Sequence, residues 1–284
     1  MIISKSKIFL PLFLLAVLLL AACSGRDNKT SSNKIRAVVT VITYADFVKK
    51  IGGDKVDVTT MIPPGANAHA YEPQPEQLVE FSKADFYFRV GNILEFEDIW
   101  MNKIQGYNKK IKIVDCSENI FTMEHDPHIW LSPANTKIIT QHIYDAFVKS
   151  YPAEREFFET NLKRFHSELD SVDASNKVKI SGLKSNKFMV YHSAWKYFAE
   201  YYGLEEIAIE KEGKSPNVRD LTDIITKAKE SGIKVIFTEP QFDPSPAKTI
   251  ANEIGAVTDT INSLPADYLQ NLTEFVNKIV KYSK

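Results

Sequence analysis

The segment IRAVVTVITYADFVKKIGGDKVDVTTMI, residues 35–62, contains two hydrophobic patterns in succession. Ile35–Val41 is a run of β-branched and small apolar residues, which is typical of a strand buried on both faces. Tyr44–Ile51 has apolar residues at helical spacing, and the glycine pair at 52–53 ends that helix. A second β-branched run follows in Val56–Ile62. Strand, helix and strand in this order predict a βαβ unit with parallel strands.

The same alternation continues on both sides of a long helical stretch, residues 135–180, which is interrupted at Pro152. This stretch is compatible with two ordinary packed helices or with one long helix that bridges two lobes. Before it, the first unit gains a helix that begins at Pro75 and strands at 85–90 and 111–114. After it, a second α/β unit is predicted, with strands at 187–191, 207–210 and 234–238 and helices at 194–202, 218–229, 246–254 and 266–281. The predicted fold class is therefore α/β, with two parallel-sheet units.

Residues 1–22 have the features of a secretory signal peptide. Its apolar run from Ile8 to Leu20 is too short for a membrane span, which takes about 20 apolar residues. The run ends in small residues directly before Cys23, a pattern that resembles the bacterial lipobox, in which the cysteine is lipidated. An ordinary signal peptide with an incidental cysteine is the alternative. Because residues 23–34 are polar and predict a flexible tether, we expect an exported protein, lipid-anchored on the outer face or periplasmic side of the cell membrane.

Composition excludes several classes of protein. Lys and Arg number 35 against 36 for Asp and Glu, without a basic block, so nucleic acid is not an expected partner. An apolar content of 44% argues against disorder. If Cys23 carries lipid, Cys116 has no cysteine left to pair with, and stability has to come from a hydrophobic core.

Three histidines lie where predicted strands or turns pass into loops: His69, His128 and His192. They are 59 and 64 residues apart (128 − 69 and 192 − 128), too far for a zinc finger, and no HExxH helix is present. Loops at the carboxyl ends of parallel strands form the binding crevice of an open sheet, so these side chains are candidates for one metal site. Three imidazoles suit zinc, whereas manganese prefers more oxygen donors. The alternative is that they are solvated or bystander histidines, which is our interpretation of His142 and His166 within helical runs, while His125 could offer a spare donor.

From about residue 35 onward the chain resembles the zinc-specific solute-binding lipoproteins of bacterial ABC-type metal importers, the cluster A-I metal-binding family. The segments that carry the resemblance occur in the family's order: PPGANAHAYEPQP, DPHIWLSP, YHSAWKYFAEYYGL, SPNVRDLTDII and FTEPQFDPSPAKTIANEIGA. The resemblance implies two α/β lobes joined by one long helix, with the metal in the cleft between them. The implied divisions are an N-terminal lobe at 35–150, a connecting helix at 151–182 and a C-terminal lobe at 183–284.

The resemblance also implies a ligand set. The family's ligand positions fall on His69, His128 and His192, and a histidine at the third position, where manganese-binding relatives usually have glutamate, favours zinc. Many relatives have an aspartate where this chain has Asn262, so the fourth donor is expected to be Asp259, with Glu239 or water as alternatives. Two carboxylates near the histidines in sequence, Asp126 and Glu72, could orient the imidazoles; solvated carboxylates are the alternative.

The expected function is that of a monomeric binding protein, not an enzyme, that captures Zn²⁺ and delivers it to a membrane permease. Three rival functions remain open on the sequence. They are a manganese or iron carrier of the same family, a zinc hydrolase with three histidines and a water, and a surface adhesin in which the metal is structural.

Overall fold

The computed structural model describes residues 34–91, 94–123, 126–210 and 217–283. The expected signal peptide, Cys23 and His125 lie outside these residues. Within the described part of the chain, no helix is both long enough and apolar enough to cross a membrane.

Four parallel strands form the sheet of the N-terminal lobe, in the spatial order β2-β1-β3-β4. Strands β1 and β3 are central and largely buried, because helices cover the sheet. The strands are Ile35–Val39 (β1), Val56–Thr60 (β2), Phe86–Arg89 (β3) and Lys112–Asp115 (β4). The helices of this lobe are Ile42–Gly52 (α1), Pro75–Lys83 (α2), Glu95–Gln105 (α3) and Pro133–Ser150 (α4).

A long helix, α5, spans Arg155–Ser181 and separates the first sheet from the second. Its 27 residues correspond to about 40 Å at 1.5 Å per residue. A short 3₁₀ turn at Pro152–Glu154 divides it from α4, as the proline in the sequence predicted.

The sheet of the C-terminal lobe repeats the topology of the first one, with the order β6-β5-β7-β8 and parallel pairing throughout. Its strands are Lys187–Val190 (β5), Glu205–Ala208 (β6), Val235–Thr238 (β7) and Val257–Thr260 (β8). Its helices are Lys196–Tyr202 (α6), Val218–Glu230 (α7), Ser245–Ile254 (α8) and Tyr268–Tyr282 (α9). In each sheet the strand order reverses beside the first strand, which creates a crevice at the carboxyl ends of the strands.

Helix α5 contacts α1 and α4 of the first lobe and α9 of the second. It is therefore the bridging helix that the resemblance implied, and the expected fold of two α/β lobes joined by one long helix is confirmed.

The two lobes share one continuous hydrophobic core, which includes side chains from both sheets. Buried hydrogen bonds also cross between them. The indole Nε1 of Trp130 donates to the carbonyl of Ser263 at 2.7 Å, and Thr43 Oγ1 donates to the carbonyl of Pro265 at 3.0 Å. Separating the lobes would break these bonds and expose core surface, so the fold favours a modest hinge over a wide opening.

Two elements were not predicted from the sequence, β8 and α3. Strand β8, with the sequence VTDT, is a half-exposed edge strand that lacks an apolar run. Helix α3 begins with EFED, whose acidic residues obscure its apolar spacing. The second strand predicted for the second unit, at 207–210, lies two residues earlier, at Glu205–Ala208.

Candidate metal centre

His192 immediately follows the carboxyl end of β5 in the crevice of the C-terminal lobe. Its side chain is 6% exposed, and its Nδ1 faces Glu210 Oε2 across 3.4 Å. Phe242 covers the imidazole, with ring centroids 4.5 Å apart and an interplanar angle of 30°. Burial alone would lower the pKa of His192, but the neighbouring Glu210, Glu239 and Glu206 outweigh it and raise the pKa.

His128 begins the short 3₁₀ turn Ile129–Leu131, which leads into α4. The carboxylate of Asp126 contacts His128 at two atoms. Its Oδ1 accepts the backbone N–H of His128 at 3.0 Å and lies 2.8 Å from the imidazole Nδ1. Both side chains are almost completely buried. Burial, only partly opposed by Asp126, lowers the pKa of His128 to about 4, so this imidazole is neutral over the physiological range.

His69 lies in the loop between β2 and α2. Its backbone N–H donates to Asn67 Oδ1 at 2.9 Å, which fixes a tight turn after Gly65, a glycine with φ of 81°. Its Nδ1 is 3.0 Å from Glu95 Oε2, in the first turn of α3. With its side chain 23% exposed, His69 is the most accessible of the three histidines.

The three imidazoles converge in the cleft between the lobes. Their ring centroids lie 5.9 Å apart for His69 and His128, 5.3 Å for His69 and His192, and 5.3 Å for His128 and His192. One nitrogen of each ring lies within 4.8 Å of the other two. Because each Nδ1 faces a carboxylate, Nε2 is the nitrogen left to bind an ion.

A cavity of about 20 Å³ lies between the imidazoles. A single water molecule needs about 10–15 Å³, so the space suits one ion and excludes an organic ligand. Glu239 also lines it, with Leu94, Trp130, Phe242 and Leu264 as apolar walls. Three imidazole nitrogens around a small cavity fit a divalent transition metal.

Glu239, at the end of β7, is the acidic side chain that lines this cavity, and it is 4% exposed. Its Oε1 accepts the indole N–H of Trp195 at 3.0 Å, and its Oε2 accepts the hydroxyl of Ser263 at 2.8 Å. Burial raises its pKa, although His192 and the two hydrogen bonds oppose that effect. Glu239 is therefore held beside the imidazoles by neutral donors.

Asp259, the expected fourth donor, is bonded elsewhere. Its Oδ1 accepts Lys278 Nζ at 2.9 Å and its Oδ2 accepts the hydroxyl of Tyr282 at 3.0 Å. Asn262, where relatives have an aspartate, accepts the backbone N–H of Leu264 at 3.0 Å. Across the described residues, the group of potential ligands that meet consists of the three histidines, without Asp259.

Sequence reasoning identified one of the three carboxylates that face the imidazoles, Asp126, and missed Glu95 and Glu210. Both of the missed residues are far in sequence from the histidine they face, and neither belongs to a motif. Glu72 is exposed, and none of the described histidine hydrogen bonds comes from it.

The two other histidines within the described residues, His142 and His166, form hydrogen bonds outside the candidate site. His166 Nε2 lies 2.9 Å from Thr140 Oγ1 and His142 Nε2 lies 2.8 Å from the carbonyl of Glu118.

The model of the ZnuA family, described as the periplasmic component A of the zinc-uptake complex, matches residues 37–282. The chain belongs to this family. ZnuA-family proteins are solute-binding components of ABC metal transporters and not enzymes, so a cognate permease is the partner of this chain. The hydrolase alternative is thereby set aside.

The relatives differ in the metal they are named for. The chain is 31% identical over 269 residues to the manganese ABC transporter substrate-binding lipoprotein PsaA of Streptococcus anginosus, covering 88% of this chain and 86% of PsaA. It is 28% identical over 291 residues to the zinc-binding lipoprotein AdcA of Streptococcus pneumoniae, covering 94% of this chain and 56% of AdcA. Among solved structures, a crystal structure of ZnuA has a TM-score of 0.85 and 34% identity, covering 88% of this chain and all of that one. The ZnuA family thus establishes a carrier of divalent metal ions.

Proposed function

We propose that this protein is the zinc-binding component of an ABC importer, with His69, His128 and His192 as ligands of the transported Zn²⁺. The observation that carries the proposal is the meeting of three imidazole nitrogens, one from each histidine, within 4.8 Å of one another. Zn²⁺ accepts such a donor set in tetrahedral geometry, whereas Mn²⁺ favours oxygen donors and a higher coordination number.

The fourth position of a tetrahedral ion falls to Glu239 in this proposal. Glu239 lines the cavity, while Asp259 is bonded to Lys278 and Tyr282. One oxygen of Glu239 could turn from its hydrogen bond toward the ion while the other keeps its partner. Water in the fourth position is the alternative.

Metal content and competition on the soluble chain starting at Ser24 test the zinc assignment. We expect one zinc per chain, retained against a large excess of Mn²⁺, and weakened by each of His69→Ala, His128→Ala and His192→Ala. Since Cu²⁺ exceeds Zn²⁺ in intrinsic affinity for nitrogen sites, Cu²⁺ is not a suitable competitor. Displacement by Mn²⁺, or binding indifferent to these histidines, would reject the proposal.

A manganese or iron carrier is the second candidate, and the similarity to PsaA favours it. The same competition decides between the two candidates. Preferential retention of Mn²⁺ or Fe²⁺ would establish the second one.

The protein acts, in this proposal, as a monomer tethered outside the cell membrane by a lipid on Cys23. The polar segment that follows Cys23 and the lipoprotein relatives support this. Mass spectrometry of the protein from membranes should show an acylated N-terminal cysteine. A Cys23→Ala variant should lose the modification and leave the membrane fraction, whereas unchanged membrane attachment would contradict the lipid anchor.

A further inference from the structure

A side chain of the C-terminal lobe holds the loop that carries His128. Tyr197 lies in the first turn of α6, shortly after His192 in the sequence. Its hydroxyl accepts the backbone N–H of Met123 at 2.6 Å and donates to the backbone carbonyl of Asp126 at 3.1 Å. The loop from β4 to the 3₁₀ turn is thereby bonded to the lobe opposite its own sheet.

These two bonds matter for the metal site because Asp126 in turn holds the imidazole of His128. Asp126 is 1% exposed, so its carboxylate is enclosed by the protein next to the backbone carbonyl that Tyr197 contacts. The hydroxyl of Tyr197 stays protonated at physiological pH and can donate a hydrogen bond, since burial raises its pKa to about 12. A chain of contacts therefore runs from α6 through Asp126 to the ring of His128.

His69 is held differently. Its contacts with Asn67 and Glu95 come from its own lobe, and the Glu95 side chain is 59% exposed. The site thus combines two buried imidazoles, those of His128 and His192, with a third imidazole that is more accessible.

We propose that Tyr197 is a positioning residue of the metal site, which ties the His128 loop to α6, the helix that begins shortly after His192, and so sets the spacing of these two imidazoles before the ion arrives. The inference rests on the proposed function, because it takes both histidines as ligands. A pair of ligands fixed in advance loses less freedom when the metal binds, and this favours affinity.

The direct test is zinc affinity of a Tyr197→Phe variant of the purified protein, measured by competition with a chelator. Phenylalanine keeps the buried ring and removes only the hydroxyl. We expect about a 10-fold loss of affinity, the lower end of what is lost when a partner of a metal-binding histidine is removed. The matched control is Tyr44→Phe, because the Tyr44 hydroxyl is also buried but has no hydrogen-bond partner. Its zinc affinity should change by less than about twofold.

Double variants separate positioning of His128 from a general loosening of the fold. If Tyr197 acts through His128, Tyr197→Phe should still weaken zinc binding in a His69→Ala background and have no further effect in a His128→Ala background. Equal losses in both backgrounds would overturn the inference, as would a Tyr197→Phe variant that behaves like Tyr44→Phe.

The proposed function fails separately from this inference. It fails if the parent protein does not bind zinc, or if substitution of the three histidines leaves the affinity unchanged. If those substitutions weaken binding while Tyr197→Phe does not, the inference alone is rejected.

Discussion

In the proposed site, zinc and protons compete for the same nitrogen atoms, and His128 and His192 differ in how readily they take up a proton. Burial lowers the pKa of His128 to about 4, so it is available to a metal at any physiological pH. His192 is the opposite case, because Glu210, Glu239 and Glu206 raise its pKa despite its burial. In the proposed site, protonation of His192 therefore opposes zinc binding at a higher pH than protonation of His128 does.

We expect zinc affinity to be constant at high pH and to fall as the pH drops through the raised pKa of His192. The fall should begin above the ordinary histidine value of about 6.5 and amount to about tenfold per pH unit while one proton is exchanged for the metal. Titrations with zinc between about pH 8 and about pH 5 measure this. Affinity that stays flat over that interval would exclude histidine ligation.

Glu210→Gln is the matched variant for this titration. It removes a charge that raises the pKa of His192, so the onset of affinity loss should move to lower pH. An unchanged onset would mean that His192 is not the proton-sensitive ligand.

Substitutions of Glu239 and Asp259 compare the two candidate fourth ligands by their effect on zinc affinity. Glu239→Gln should reduce zinc affinity by about 10-fold or more, because it removes a negative charge that lines the cavity. Asp259→Asn should leave zinc affinity unchanged and cost only a small amount of stability, since it removes a half-exposed ion pair with Lys278. Isothermal titration of both variants measures the effects, and the reverse ranking would return the fourth ligand to Asp259.

At the scale of elements, the loop from β3 to α3 places Glu95 beside His69. This loop turns at Gly91, which has φ of 127° and donates its N–H to the buried Glu97 at 2.9 Å. A Cβ at Gly91 would lie 2.7 Å from Ser117 Cβ, closer than carbon atoms can approach without a shift.

Gly91→Ala should therefore lower the free energy of unfolding by about 2–3 kcal/mol, through backbone strain and the clash together. Gly203→Ala is the matched control, because Gly203 also has positive φ, 68°, but a Cβ there would meet nothing within 4 Å. Its cost should be about 1 kcal/mol, the conformational part alone. Denaturant unfolding of the two variants measures the difference, and equal costs would contradict the close approach.

The elements that could be predicted from sequence are those whose own residues carry the signal. The buried strands β1 and β5 are apolar runs, and Pro152 and Gly203 mark the ends of helices. Strand β8 and helix α3 lack such signals and were missed.

The site residues that could be predicted are likewise those with a signal in their own segment of sequence. Three histidines after strands or turns could be found from the chain alone, but Glu95 lies on the unpredicted helix α3. Glu210 faces His192 only because β6 pairs beside β5, and sequence patterns do not show strand pairing.

At the scale of the whole molecule, the metal is not needed to hold the lobes together. The hydrophobic core is continuous across both sheets, and buried hydrogen bonds such as that from Trp130 to Ser263 connect them without an ion. A structural zinc, as in the adhesin alternative, would instead contribute the folding free energy itself.

We therefore expect the protein stripped of metal to remain folded and to rebind zinc. Added zinc should stabilise the folded protein by RT ln(1 + [Zn]/Kd), which is about 4 kcal/mol at a thousandfold excess over Kd, and should therefore raise its melting temperature. Circular dichroism and calorimetry with and without a chelator check this, with His192→Ala as a control whose melting temperature should respond much less to zinc. Loss of secondary structure on chelation would point to a structural metal.

The small volume between the three imidazoles has a consequence for which ions can enter. An ion accommodated in about 20 Å³ cannot keep its hydration shell. Mg²⁺ gives up its bound water reluctantly, and Ca²⁺ requires six to eight oxygen donors at about 2.3–2.6 Å. For both of these abundant ions, the free energy lost on dehydration would exceed the free energy gained by binding three nitrogens. We therefore expect the proposed site to disfavour Mg²⁺ and Ca²⁺ because of the cost of removing their bound water, and to select among transition metals by their affinity for nitrogen.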